Sequence, residues 1–247
     1  FLFVTIPCGM VFSVSADNIY SRGPHLYIYI VMYFGAILYL SASTVITARE
    51  FQNRSRLLIY PLILFVMAET IIQVALPELH VTWLCVTLLS VLYFIYCSEM
   101  WNQLDALTGL LNQNSYLKQT GGVRCKGGVL VVFDVDDFKQ INDRYGHIQG
   151  DRCLAGIAEC IKKSYANFGY CYRIGGDEFC VLLKNGGNEG RCKQEFLQRL
   201  QEKRGEIAFL PTVSYGSAPF SGEDIVKVKD RADQDMYQYK IERKNRK

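Results

Sequence analysis

The run Gly128-Val129-Leu130-Val131-Val132-Phe133-Asp134-Val135-Asp136-Asp137-Phe138-Lys139 decides the fold of this chain. Its opening, Gly128–Phe133, is apolar and rich in β-branched residues, the pattern of a strand buried on both faces. Three acids follow within four positions. A strand that ends in acids puts Asp134 at its carboxyl edge, where ligands gather in sheets covered by helices. Carboxylate oxygens and a backbone carbonyl are hard donors suited to Mg²⁺. Taken alone, such a cluster is more often a solvated turn or a helix N-cap, and Asp136 is open to that reading.

Outward from this strand the elements alternate. Phe138–Tyr145 and Asp151–Tyr165 read as helices, the second with Leu154, Ile157, Ala158 and Ile161 on one face. Tyr170–Ile174 and Glu178–Leu183 read as strands, Glu189–Arg204 as a polar helix, Phe209–Ala218 as a strand, and Asp224–Arg243 as a final amphipathic helix. The expected class is an α/β or α+β domain with helices packed on a sheet. Between the two middle strands stands Gly175-Gly176-Asp177-Glu178-Phe179. Two glycines tolerate positive φ, so a tight hairpin with two exposed acids at its tip is expected. These five residues by themselves also fit a plain hairpin.

Both features, with their surroundings, resemble the GGDEF family of bacterial diguanylate cyclases, and the resemblance covers residues 101–247. Asp105-Ala106-Leu107-Thr108-Gly109-Leu110-Leu111-Asn112 is similar to the family's opening motif. Asn142-Asp143-Arg144-Tyr145-Gly146-His147-Ile148-Gln149-Gly150-Asp151 resembles its NDxxGHxxGD segment. Val213–Ala218 looks like its late strand, and Ala232-Asp233 through Tyr237 to Lys240 like its last helix. One such match arises easily by chance; all of them in order do not.

The resemblance implies a palm-like domain and the condensation of two GTP into cyclic di-GMP with release of two pyrophosphates. It implies two divalent ions (Mg²⁺ or Mn²⁺) per active site, held by Asp134, the backbone of Val135, and Asp177. It gives Asp177 the activation of the attacking 3′-hydroxyl, with Glu178 assisting, and makes Gly175, Gly176 and Phe179 the frame of that motif. Asn142 and Asp151 become the guanine readers, since an amide and a carboxylate match its donor and acceptor edge. His147 and Phe138 are expected beside the nucleotide, and Lys139, Lys240 and Lys244 on its phosphates. Catalysis is expected in a homodimer. Four departures stand out: Gln113 for an arginine, Arg243 for a glycine, Lys244 for an arginine, and Ala166-Asn167-Phe168-Gly169 where many members carry an inhibitory Arg-x-x-Asp. A catalytically silent GGDEF module that binds GTP or a partner is the alternative. Silent members usually lose hairpin acids or glycines that this chain keeps.

The first hundred residues differ in kind. They carry nine charged side chains, and no lysine appears before Lys118. The remaining residues carry 23 basic and 19 acidic side chains. Residues 1–100 are therefore expected as all-α transmembrane helices, with spans over Leu26–Val45, Leu57–Leu76 and Val81–Ser98. Phe1–Ser15 is expected as a further helix, cut short, with more spans ahead of it. Arg49, Arg54 and Arg56 place their loop in the cytoplasm. That makes a multi-pass protein of the bacterial inner membrane, partnered by the lipid bilayer, with residues 101–247 cytoplasmic. Glu69 falls deep inside the third span, read as a packing residue or a sensor. A net charge of +3 excludes the basic stripe of a nucleic-acid binder. Nine cysteines without a CxxC pair exclude a disulfide framework or zinc site.

Overall fold

The computed structural model describes residues 12–16, 20–50, 82–121, 127–184 and 186–245, with nine residues between 64 and 76. They form two compact units, Phe1–Tyr96 and Cys97–Lys247.

In the first unit, strands β1 (Phe12–Val14) and β2 (Tyr20–Arg22) pair antiparallel, Phe12 opposite Arg22. Phe12–Val14, within the helix expected over Phe1–Ser15, is therefore a strand, and Phe12, Val14 and Tyr20 favour extended chain; residues 1–11 lie outside the described residues. Helices α1 (Leu26–Glu50) and α2 (Thr82–Trp101) follow. Among the described residues, no helix is long and apolar enough to cross a membrane, so the expected spans find no support there. Most of Leu57–Leu76, with Arg54 and Arg56, lies outside the described residues. Glu69 is described and buried, and its Oε1 has no hydrogen-bond partner among the described residues.

The second unit is one four-stranded antiparallel sheet with helices on both faces. Its elements are α3 (Gln113–Thr120), β3 (Gly128–Val135), α4 (Phe138–Tyr145), α5 (His147–Tyr165), β4 (Gly169–Arg173), β5 (Glu178–Leu183), α6 (Glu189–Glu206), β6 (Val213–Phe220) and α7 (Ile225–Asn245). The strand order is β4-β5-β3-β6, so β3 lies inside the sheet. Side chains alternate between faces along a strand, which splits β3 between two cores. Val129, Val131, Phe133 and Val135 pack with Leu154, Ile157 and Ile161 of α5 and Phe196 of α6. Leu130 and Val132 pack with Tyr116 of α3 and Val228 and Ala232 of α7. Each fully buried aliphatic side chain contributes about 1.5–3 kcal/mol, so an acid could not replace any of them cheaply. The acids appear where β3 leaves this double cover.

Most boundaries shift by one or two residues from the expected ones, and three departures are larger. Strand β6 begins at Val213 and not at Phe209, because Pro211 lacks the N–H a ladder needs; Leu210 is buried beneath the loop instead. Helix α5 starts at His147 and not at Asp151, since Gly146 at φ +83° ends α4 and restarts the chain at once. Helix α3 was not expected at all. It is capped by Asn112, whose side chain accepts from the Ser115 amide at 3.0 Å.

Candidate active site

Antiparallel register gathers the acids. Asp134 lies opposite Glu178 on β5 and Ser214 on β6, and the Val135 amide donates to the Asp177 carbonyl at 3.2 Å. Asp134, the Val135 backbone, Asp177 and Glu178 therefore share one end of the sheet. Asp134 and Asp177 are half-buried and Glu178 is exposed, so the set opens to solvent. Lys240 of α7 reaches across, its Nζ 2.6 Å from Asp134 Oδ2 and 3.4 Å from Asp136 Oδ1.

The hairpin is built otherwise than its glycines suggest. Neither Gly175 nor Gly176 has positive φ; among the described glycines that belongs to Gly109, Gly127, Gly146 and Gly222. Gly175 lies close to its neighbour: a Cβ there would stand 3.3 Å from the Glu178 side chain. A Cβ on Gly176 would meet nothing within 4 Å, which leaves that face open to a ligand. Phe179 turns inward, fully buried, opposite Phe133. Arg173 fixes the tip, donating to the Gly176 carbonyl at 2.7 Å and to Asp105 Oδ1 at 3.0 Å. Asp105 also accepts from the Thr108 amide at 2.9 Å and hydroxyl at 2.6 Å. Burial pushes the Asp105 carboxyl up, but bonds from Thr108 and Arg173 outweigh it and hold it below the usual range.

Asp136 is neither a turn acid nor a cap. It is 4% exposed and accepts from Ser214 Oγ at 2.7 Å, Thr212 Oγ1 at 2.9 Å and the Arg243 guanidinium. Burial raises its proton affinity, yet the Ser214, Arg243 and Thr212 bonds and the Arg243 charge bring it below the ordinary carboxylate range. The residue before α4 is Asp137, at φ +54° and without a side-chain cap bond.

The expected guanine corner lies where α4 turns into α5. A Cβ at Gly150 would collide with Asn142 Oδ1 and crowd Phe138, so the missing side chain makes room for the Asn142 amide. The structure thus brings Phe138 and Asn142 together over Gly150. Asp151 follows directly and is exposed, as are His147 and Lys139. The side chain of Lys244 lies outside the described residues.

Arg173, Asp105, Thr212, Ser214 and the structural use of Asp136 were missed by reading the sequence. An arginine inside the apolar strand before Gly-Gly was the available signal. Among the described residues no cluster of three or more acidic, histidine or cysteine side chains could hold a metal. The expected donors are two carboxylates and a backbone carbonyl, all hard oxygens at one solvent-facing sheet end, and that chemistry fits a small divalent cation.

The match to the family described as "Diguanylate cyclase, GGDEF domain" spans residues 102–246. This chain belongs to the GGDEF diguanylate cyclase family. Diguanylate cyclase DgcS of Shewanella oneidensis is 32% identical over 149 residues, 57% of this chain and 50% of DgcS. Diguanylate cyclase DgcZ of Escherichia coli is 29% identical over 165 residues, 62% of this chain and 55% of DgcZ. The chain thus spans about half the length of these two curated relatives. Among solved structures, diguanylate cyclase SiaD of Pseudomonas aeruginosa, in complex with its activator SiaC, aligns at TM-score 0.52 and 22% identity, covering 88% of this chain and 84% of SiaD. The coiled coil and GGDEF domain of DgcB from Caulobacter crescentus, in complex with c-di-GMP, aligns at 0.51 and 24% identity, covering 64% and 93%. Both likenesses carry the fold. The GGDEF domain here is thus a palm-like α+β sheet with its motif at the β4–β5 turn.

Proposed function

We propose that this protein joins two GTP molecules into cyclic di-GMP, releasing two pyrophosphates. The observation that carries this reading is the register that sets Asp134 opposite Glu178 and ties Val135 to Asp177 at one open sheet end. Asp134, the Val135 carbonyl and Asp177 would hold divalent cations, which supply charge neutralisation at the attacking and leaving oxygens of an in-line displacement. Asp177 accepts the proton of the attacking 3′-hydroxyl. Asn142 and Asp151 orient the guanine, and Phe138 backs the Asn142 amide. Lys240 and Lys139 bear on the phosphates, with Lys244 following on the same helix. Each domain would bring one GTP, so the product needs two copies facing each other.

Residence at the bacterial cell membrane, catalytic domain in the cytoplasm, is a separate reading. It rests on the scarcity of charge in residues 1–100, which also suggests that this part controls the cyclase. Fractionation followed by an alkaline wash tests it: recovery in the soluble fraction rules it out.

The deciding experiment supplies the chain with GTP, ATP or both, and identifies products by mass spectrometry. Cyclic di-GMP from GTP is expected. GTP binding without any cyclic product would identify a silent module instead, and a mixed dinucleotide would overturn the guanine assignment.

A further inference from the structure

Arg243 stands where the family usually has glycine, and among the described side chains it is the best-connected cation of α7. Its guanidinium donates to Asp136 Oδ2, to Thr212 Oγ1 at 2.6 Å and to the Val213 carbonyl at 3.4 Å. Those acceptors come from the end of β3 and the start of β6. One turn earlier on the same helix, Lys240 lies between two carboxylates, closer to Asp134 than to Asp136. Residues three apart share a helix face, so both cations address the same strand ends.

The arrangement poses a competition. Asp136 is buried, and a buried carboxylate deprived of a charged donor draws in whatever donor can reach it. Lys240 can reach it: its ammonium already lies 3.4 Å from Asp136 Oδ1. We propose that Arg243 is a positioning residue which, by saturating Asp136, keeps the Lys240 ammonium on the Asp134 side, free to pass to the nucleotide triphosphate. Arg243 touches no reacting atom in this scheme. It acts through Lys240, and a glycine at 243 would leave that work undone. The proposal rests on the reading above that Lys240 bears on the phosphates.

A double-mutant cycle on the full chain tests it. The probe is a non-reactive α,β-methylene analogue of GTP with Mg²⁺, and the readout is its dissociation constant by calorimetry, with a melting curve for each variant. Arg243→Ala should weaken binding about tenfold, and Lys240→Ala by about that or more. The double variant should bind no worse than Lys240→Ala alone, because Arg243 has nothing left to position. Should Arg243→Ala fail to fold, Arg243→Lys repeats the cycle. Its single ammonium can reach Asp136 but not Thr212 and Val213 together, so a smaller loss is expected, again absent without Lys240. Losses that multiply in the double variant would overturn the proposal, as would wild-type binding in Arg243→Ala or Arg243→Lys. Wild-type binding in Lys240→Ala would overturn the phosphate role of Lys240 itself, and the proposal with it.

Discussion

Asp134 and Asp136 stand two residues apart at the end of one strand, yet one is saturated and the other is not. Asp136 is sealed under β6 and α7, with donors from Thr212, Ser214 and Arg243. The Asp134 side chain is half-buried, and its described partner is a lysine on a long flexible stem. The hairpin tip beside it is likewise open. A buried acid held by three fixed neighbours cannot take a new ligand without breaking the fold. An acid held by one mobile cation can exchange that cation for another. The contrast sorts a run of three acids into structure and chemistry, which composition alone could not do.

Breaking each side of the contrast should give opposite readouts. Asp134→Asn and Asp177→Asn should lower turnover by about 10²–10³ or more, because each removes charge where the transition state needs it fixed in advance. Their melting temperatures should stay near wild type. Asp136→Ala should do the reverse: lose about 2–3 kcal/mol of stability, since Arg243, Thr212 and Ser214 lose a shared acceptor. Chemical denaturation and cyclic di-GMP production, measured on all three variants, check this. A destabilised Asp134→Asn, or a stable but inactive Asp136→Ala, would exchange the two roles.

A smaller effect sharpens the same contrast at the guanine corner. Gly150→Ala puts a methyl group onto Asn142 Oδ1, forcing the amide away from its place beside Phe138. GTP affinity should fall about tenfold, the scale of one misplaced polar contact, with a smaller loss of stability because Asn142 is only half-buried and its amide can swing aside. Titration of the same GTP analogue measures it. Unchanged affinity would remove Asn142 from the guanine site.

What could be read from the sequence was what is local. Gly128–Phe133 was legible as a buried strand because both its faces are covered, and the Gly-Gly-Asp-Glu-Phe motif because its five residues are contiguous. The clamp at Asp136 was not legible, since Arg243 lies 107 positions away and Thr212 lies 76. Arg173 and Asp105, 68 apart, escaped for the same reason. Periodicity reports the face a residue occupies, and it carries no information about which distant side chain shares that face. The expected helix over Phe1–Ser15 failed for a related reason: apolar character alone does not separate helix from strand, and Phe12–Val14 pairs as a strand.

Acid should reach both clamps before it reaches the core. Asp136 and Asp105 are held below the ordinary value of 3.8 in the folded chain, so their contribution is complete at neutral pH. It should fade as pH drops through that value toward their folded ones. Melting temperature should therefore decline between about pH 5 and pH 3, and Asp105→Asn should flatten the part owed to the hairpin clamp, on the order of 1 kcal/mol. An unchanged slope in Asp105→Asn would show that Arg173 holds the tip through the Gly176 carbonyl alone.

The last expected effect is close to none. Where many family members carry an inhibitory Arg-x-x-Asp, this chain has Ala166 and Gly169, which offer neither a guanidinium nor a carboxylate for the bidentate phosphate contact of a bound product. The structure adds that the acid position is closed. Gly169 is buried at the start of β4, and a Cβ there would collide with the Leu182 carbonyl of the neighbouring strand. The nearby cation, Arg191, has its guanidinium carbon 6.0 Å from the centre of the Phe168 ring. Added cyclic di-GMP should therefore compete with GTP at the active site and produce no non-competitive component in progress curves. The double substitution Ala166→Arg with Gly169→Asp should not install inhibition either, because the aspartate must first displace the β4–β5 backbone. Strong non-competitive inhibition of the unmodified chain would place a product site elsewhere on the domain. Inhibition gained by the double variant would show that the β4 edge yields more readily than its packing against Leu182 implies.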